Sequence, residues 1–412
     1  MTAWQAGAGE PFGSGHSTLH PSSGSWTPEN TGPEEYGLAL SGGGIRATLF
    51  HLGALWRINE MGWLKEIDRI SGVSGGAIAA GLLAKAWSDL EWDAAGHATN
   101  FGEKYASQVL RLAGQRIDAP IVVLGLIPFA SPARLLAGLL DRRFFRGMTL
   151  QDIPGLGEGP RFVFNATDLA TGTDFRFERP YMGSWRVGLV RTPAIKVAVA
   201  VAASAAFPPI ISPLLLRLDP AVVEDVKGAD LHGRKDLLSR IALVDGGVYD
   251  NLGLEPITGR CHTYLVSDAG GNLGISPPGW KWSLWSLQVK RVLDIAVEQG
   301  RALRRRTLAD NKAAHPYALW RTQTAPGAMA QWVGVPFPVQ EGWTNYLSSI
   351  PTRLWPLPIQ DRQRLVNWGY LTSDLALRAF VWKSAAPPTE LPFPGAGFDG
   401  PPPRKPDIAG GG

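Results

Sequence analysis

Short apolar runs that stop at glycine alternate along this chain with longer stretches whose apolar positions recur every three or four residues. Residues 36–40 (YGLAL) read as a strand. Residues 47–61 read as a helix carrying Leu49, Leu52, Leu55, Trp56 and Met61 at helical spacing. The pattern then repeats: a strand over 67–70, a glycine turn, and a largely helical stretch over 77–112. Residues 161–166 (RFVFNA) and 173–178 (TDFRFE) read as two strands joined by a Gly-containing turn. A helix is predicted over 192–206, capped by Thr192 with Pro193 in its first turn. Strands follow over 241–244 and 263–266, with a polar surface excursion over 221–240 before them. Two further helical patterns cover 280–306 and parts of 358–381, and no internal repeat is present.

Residues 1–35 are rich in Gly, Ser, Pro and Thr without an apolar period and read as a loose arm. They contain no basic start followed by an apolar stretch, so a secretory leader is not expected and a cytoplasmic location is. Residues 36–385 read as the folded domain, with a Trp- and Pro-rich extension from about 275; residues 386–412 read as a disordered tail. Residues 119–133 hold no charge, but are too short and too proline-rich to span a bilayer; they read as a buried segment, a lid or a surface that dips into lipid.

Composition narrows the function. Hydrophobic residues at 45% and charged residues at 18% describe a globular chain of 412 residues. A formal charge of +4 is mild, and no basic module with stacking aromatics points to nucleic acid. The single cysteine, Cys261, excludes an internal disulfide and a cysteine-based zinc site; it reads as a small buried residue. Neither a metal nor a cofactor is called for. The 16 Trp residues fit either a Trp-rich core or a lipid interface. Trp280, Trp282 and Trp285, beside Lys281, Lys290 and Arg291, mark a candidate peripheral membrane contact; the competing reading is a helix with a solvated cationic face.

Candidate chemistry sits at three glycine turns. The first follows the strand over 36–40 as Ser41-Gly42-Gly43-Gly44-Ile45-Arg46. Consecutive backbone N–H groups at a helix start bind negative oxygen, which suits either an oxyanion hole or a dinucleotide phosphate loop. The dinucleotide reading wants an acid closing the second strand, whereas Asp68 stands at that strand's beginning. The second turn is Gly72-Val73-Ser74-Gly75-Gly76, a G-x-S-x-G between strand and helix. That context lifts a serine hydroxyl at a sharp bend, and side chains at Gly72 or Gly76 would block the neighbouring backbone. The third is Asp245-Gly246-Gly247, an acid capping an apolar strand, with an Asx-turn as its plain alternative.

Taken in order, LALSGGGIR at 38–46, GVSGG at 72–76 and DGG at 245–247 resemble the patatin-like phospholipase family. AASAAFPPIISP at 202–213 and LVNWGY at 365–370 are further likenesses. The resemblance covers 36 to about 380. It implies a three-layer α/β/α sandwich around a mostly parallel sheet and hydrolysis of phospholipid or other acyl-lipid esters through an acyl-enzyme. It assigns Ser74 as nucleophile, Asp245 as its dyad partner, and Gly42, Gly43 and Gly44 as the oxyanion loop. Arg46 becomes the basic residue closing that loop's pattern, Gly72 and Gly76 the nucleophile elbow, and Gly246 and Gly247 the dyad loop. An Asp is by itself a poor base, with an ordinary pKa near ~3.9, so such a site must raise it or hold it in attack geometry. Two other readings stand beside this one. A Ser-His-Asp esterase acting on small esters would use Ser74, Asp245 and His262 or His315. A non-catalytic peripheral membrane protein would keep the fold alone.

Overall fold

The computed structural model describes residues 33–116, 131–226, 228–271, 273–275, 285–352 and 356–403. The apolar segment over 119–133 lies outside these for all but its last three residues, as do Trp280, Lys281 and Trp282. The strands are β1 (Glu34–Leu40), β2 (Arg69–Gly72), β3 (Arg161–Asp168), β4 (Thr173–Phe177), β5 (Tyr181–Ser184), β6 (Gly188–Arg191), β7 (Leu214–Leu216), β8 (Ile241–Asp245), β9 (Cys261–Asp268) and β10 (Tyr317–Arg321). The helices that shape the site are α1 (Gly44–Glu60), α2 (Gly75–Ala86), α3 (Val197–Ser204), α4 (Gly247–Asp250), α5 (Trp285–Asp310) and α6 (Ile359–Phe380).

All ten strands belong to one sheet, ordered β10-β9-β1-β2-β3-β4-β5-β6, with β8 pairing β3 and β7. The half from β10 to β3 is parallel, and the rest is antiparallel. The strand pleat divides the layers. Leu38 and Leu40 enter a large core with Leu49, Leu52 and Leu55 of α1, Leu82 of α2 and Leu371 of α6. Ala39, between them, points to the opposite face, where Leu252, Leu254, Val266 and Leu308 of α5 form a second core. Helices therefore cover both faces, giving the three-layer arrangement.

One junction sets up the chemistry. β2 pairs with β3 only as far as Gly72 opposite Phe164. β3 runs on, and β8 arrives antiparallel on the vacated side, placing Asp245 opposite Ala166. An acid from a distant part of the chain is thus delivered just beyond the end of the strand that leads into Ser74.

Several boundaries differ from the pattern. α1 and α2 begin three and two residues early, because their glycine turns are already helical. The stretch over 77–112 breaks near residues 90–100, where Asp93 accepts the N–H groups of Ala95 and His97 and forms a turn. The helix predicted from Thr192 begins only at Val197; Thr192 itself has φ +42° and Lys196 is extended. The tail over 386–412, expected to be disordered, is packed as far as Phe398, and its residues 404–412 lie outside the described residues. Leu391, Ala396 and Phe398 are buried there, with Phe398 edge-on to Trp343 and Trp368. Most described Trp side chains serve the core: Trp87, Trp185, Trp320, Trp343, Trp368 and Trp382 are buried. Trp285 and Trp332 are exposed.

α1 and α6 cross at backbone contact. A Cβ on Gly53 would lie 1.9 Å from the Val366 carbonyl, and one on Gly369 would lie 1.9 Å from the Phe50 carbonyl. The LVNWGY stretch is the α6 side of this crossing. Beside it, Asp374 of α6 is buried and pairs with Arg57 at 2.9 Å and with Arg378 at 2.6 Å.

Candidate active site

Ser74 sits between β2 and α2 with φ 52° and ψ −113°, a conformation that costs a non-glycine residue about 1–3 kcal/mol. The bend is crowded: a Cβ on Gly72 would lie 2.8 Å from the Ala77 backbone, and one on Gly76 would lie 2.1 Å from the Leu40 carbonyl. The elbow is therefore pressed against the end of β1, where the first glycine turn begins. Its backbone N–H donates to Ser204 Oγ at 2.9 Å.

Asp245 ends β8 and is buried. The Gly247 N–H donates to its Oδ1 at 2.7 Å, and the Ser74 side chain is among the groups acting on its carboxylate. Burial pushes its pKa up to about 6, against the opposing pull of the Gly247 N–H and the Ser74 side chain. Gly246 is tied elsewhere, its N–H donating to the Ser204 carbonyl at 3.2 Å.

The SGGG turn divides its donors. Ser41 N–H still pairs with Ser267 O at 3.1 Å, and Gly42 N–H donates to Asn251 O at 3.0 Å. Among the described residues, the Gly43 and Gly44 N–H groups have no partner. Gly43 has φ +149° and Gly44 φ +60°, backbone angles that favour glycine. Of the three glycines expected to form an oxyanion loop, two thus have N–H groups without a partner among the described residues, and Gly42 is an anchor. Arg46 does not face the nucleophile. It is buried and donates to the carbonyls of Ala269, at 3.2 and 3.1 Å, and Ile350. Burial, with Arg301 nearby, lowers its pKa to about 10.

Neither histidine of the triad alternative reaches this site. His262 lies at the amino end of β9, level with Glu34 and Glu35, whereas the turn after Leu40 lies level with Ser267. His262 bonds Glu35, and His315 donates to the His262 carbonyl while stacking on Tyr264. Asp68, the acid weighed for a dinucleotide, accepts the N–H groups of Glu35 and Tyr36 at 2.8 and 2.9 Å.

Three residues near the site escaped the sequence reading. His51, in α1, is fully buried, and desolvation lowers its pKa to about 4, so the ring is neutral. Its Nε2–H donates to Ser41 O at 2.9 Å, and its Nδ1 accepts from Ser267 Oγ at 2.8 Å. Asn251, four residues after Gly247, lies between the SGGG and DGG turns: its Oδ1 stands 2.3 Å from where a Gly42 Cβ would be and 2.5 Å from a Gly247 Cβ. Only that i+4 spacing on a short helical turn could have signalled it. Ser204 lay within a quoted likeness but had no role attached.

α5 lies across the carboxyl end of β9. Asp268 there is fully buried and pairs with Arg301 at 2.5 Å and Arg305 at 3.0 Å. Burial alone would raise its pKa, but the two guanidiniums hold it below the usual carboxylate range. Arg304 pairs with Asp250 at 3.1 Å. These arginines of the basic helix end therefore turn inward rather than forming a solvated cationic face.

Residues 38–257, more than half of the chain, match the Patatin family, described as patatin-like phospholipase. The chain belongs to this family. No curated protein matches it in sequence. Among solved structures it is similar to human GIVD cytosolic phospholipase A2, at 14% identity over 59% of this chain and 46% of that one, with a TM-score of 0.38. The same human enzyme in complex with methyl gamma-linolenyl fluorophosphonate aligns over 84% of this chain and 57% of that one, at 14% identity and a TM-score of 0.45. VipD from Legionella pneumophila aligns at 15% identity over 86% of this chain and 70% of that one, with a TM-score of 0.38. The patatin-like chain here thus spans less than half the length of the first of these.

Proposed function

We propose that this chain hydrolyses carboxylic esters of phospholipids or other acyl lipids with Ser74 as nucleophile and Asp245 as its base. The observation that carries the reading is that one helix end, residues 204–206, bonds the main chain of both Ser74 and the buried Asp245, whose pKa burial raises to about 6. A carboxylate with a pKa near the working pH is a competent proton acceptor; an ordinary one is not. As Ser74 Oγ attacks the ester carbonyl, its proton passes to Asp245 and negative charge collects on the carbonyl oxygen. The Gly43 and Gly44 N–H groups, unpartnered among the described residues and backed by the start of α1, receive that charge. Asp245 then protonates the departing alcohol, leaving an acyl-Ser74. Water, deprotonated by the same carboxylate, releases the fatty acid.

In this reading the substrate is met at a lipid surface. Among the described residues no helix is long and apolar enough to cross a membrane. α5 carries an apolar stripe that would rest on the surface instead: Trp285, Val289, Val292 and Leu303 recur at helical spacing and are exposed by 76, 58, 64 and 59%. The test of the reaction is a panel of acyl esters differing in head group and chain length, run beside Ser74→Ala. Fluorophosphonate labelling and hydrolysis should both be lost in the variant, with its melting temperature kept. Labelling that persists in Ser74→Ala would overturn the assignment.

A further inference from the structure

The ten residues 197–206 read VAVAVAASAA, and Ser204 is the only polar side chain among them. It is fully buried. A lone buried hydroxyl in an apolar helix end needs a partner, and here the partner is the backbone of Ser74: Ser204 Oγ accepts its N–H at 2.9 Å. The same residue's carbonyl accepts the Gly246 N–H at 3.2 Å, and Ala206 O accepts the Asp245 N–H at 2.9 Å. One helix end therefore grips both halves of the proposed pair, although they arrive on different strands.

We infer that Ser204 is a positioning residue for the acyl transfer, its Oγ fixing Ser74 in the strained elbow and its main chain setting the DGG turn beside it. The inference rests on the reading of Ser74 and Asp245 as the reacting pair. The physical need is specific. The Ser74 N–H stands at the junction of β2 and α2, where neither element supplies it an acceptor, and its φ of 52° is one that serine does not hold unaided. With Oγ removed, the N–H loses its acceptor in a partly buried place and the elbow is released. The contacts to Gly246 and Asp245 are main-chain and survive a side-chain change. Nucleophile alignment and base placement can therefore be separated at this one position.

The test compares Ser204→Ala, Ser204→Cys and Ser204→Thr in the full chain with wild type. It uses a soluble short-chain ester, a fluorophosphonate probe, a pH profile and thermal melting. Alanine removes the acceptor, and cysteine keeps the volume with only a weak one. Both should lower kcat and the labelling rate by about 10–100-fold while KM stays within about twofold. The pH midpoint of kcat should stay at its wild-type value, because Asp245 keeps its main-chain anchors. Threonine keeps the acceptor and should recover activity to within about threefold of wild type. Wild-type rates in Ser204→Ala would overturn the positioning role while leaving the Ser74–Asp245 reading intact. So would an equal loss in Ser204→Thr, or a loss that follows unfolding alone. A wild-type protein that neither hydrolyses any acyl ester nor takes up the probe would overturn both.

Discussion

The Asn251 carbonyl accepts the Gly42 N–H at 3.0 Å, and Asn251 Oδ1 occupies the place a side chain on Gly42 would need. One residue thereby fixes the spacing between the SGGG turn and the DGG turn. A Cβ at position 42 would lie 2.3 Å from that Oδ1 and 3.4 Å from Ser74 Cβ. The amide can swing aside, so Gly42→Ala should fold but lose the spacer. Gly42→Ala and Asn251→Ala should each lower kcat about tenfold, and the double variant should be no worse than either, because both remove one contact. Losses that multiply in the double variant would show the two residues acting separately.

Asp245 makes activity and stability run in opposite directions with pH. Turnover needs the carboxylate, so kcat should rise as pH rises through about 6. Stability goes the other way. The folded state keeps the Asp245 proton up to about 6, whereas the unfolded chain loses it near the ordinary 3.8. Between those values the fold binds more protons, and stability falls as pH rises, by about 3 kcal/mol from this group. His51 opposes it over an overlapping window: its folded pKa of about 4 lies below the ordinary 6.5, so its contribution is lost as pH falls. The difference between wild type and Asp245→Asn cancels the His51 contribution. Denaturant unfolding at pH 4 and pH 7 should show Asp245→Asn gaining on wild type at the higher pH. An unchanged difference would place the Asp245 pKa in the ordinary range.

The histidines at the amino end of β9 provide a control. His262→Ala and His315→Ala should leave kcat/KM within about twofold of wild type, since both lie near Glu35 at the end of β9 away from Ser74. Inactivity of either variant comparable to that of Asp245→Asn would restore the triad.

What the sequence disclosed follows from the range of the interactions. The turns at Gly42, Ser74 and Asp245 were legible because strand, glycine turn and helix are local patterns. Of the parallel strands, β1, β3 and β9 were legible as apolar runs, whereas β10 went unread. β5 and β6 were not read: each has four residues, includes a glycine, and is fixed by pairing with a neighbour rather than by its own composition. The tail was misread because Pro and Gly abundance says nothing of Phe398, whose place depends on Trp343 and Trp368. His51, Asn251 and Ser204 were silent for the same reason. Each acts through a partner brought close by the fold, and Ser204 looks like any other small residue in its helix.

The α1–α6 crossing should be intolerant of a single methyl group. At Gly53 and Gly369 the obstructing atoms are backbone carbonyls, which no rotamer change can move. Gly53→Ala and Gly369→Ala should each destabilise by about 3 kcal/mol or more, read as a lowered denaturant midpoint, despite the better helix propensity of alanine. A rise in stability would mean that the helices stand farther apart.

The proposed contact with a lipid surface rests on the outward face of α5. Its inward face is committed, with Arg301 and Arg305 on Asp268 and Arg304 on Asp250. Of the outward charges, Lys290 is paired with Asp294 at 2.6 Å and Arg291 donates to the Gly274 carbonyl at 2.9 Å. The outward face is therefore defined by Trp285, Val289, Val292 and Leu303 more than by free charge. Burial of exposed apolar area stabilises by about 25 cal/mol per Å², and each basic residue near an anionic surface adds about 1 kcal/mol. Vesicle co-sedimentation should show reversible binding, stronger with anionic than with zwitterionic lipid, and weakened but not abolished by high salt. The pair Val289→Asp and Val292→Asp should reduce pelleting with both lipids and lower hydrolysis of vesicle substrate, while turnover of a soluble short-chain ester stays at the wild-type rate. Equal pelleting of wild type and the double variant would remove the stripe from the lipid surface. A stable dimer that the same substitutions dissolve would assign the stripe to a second copy of the chain.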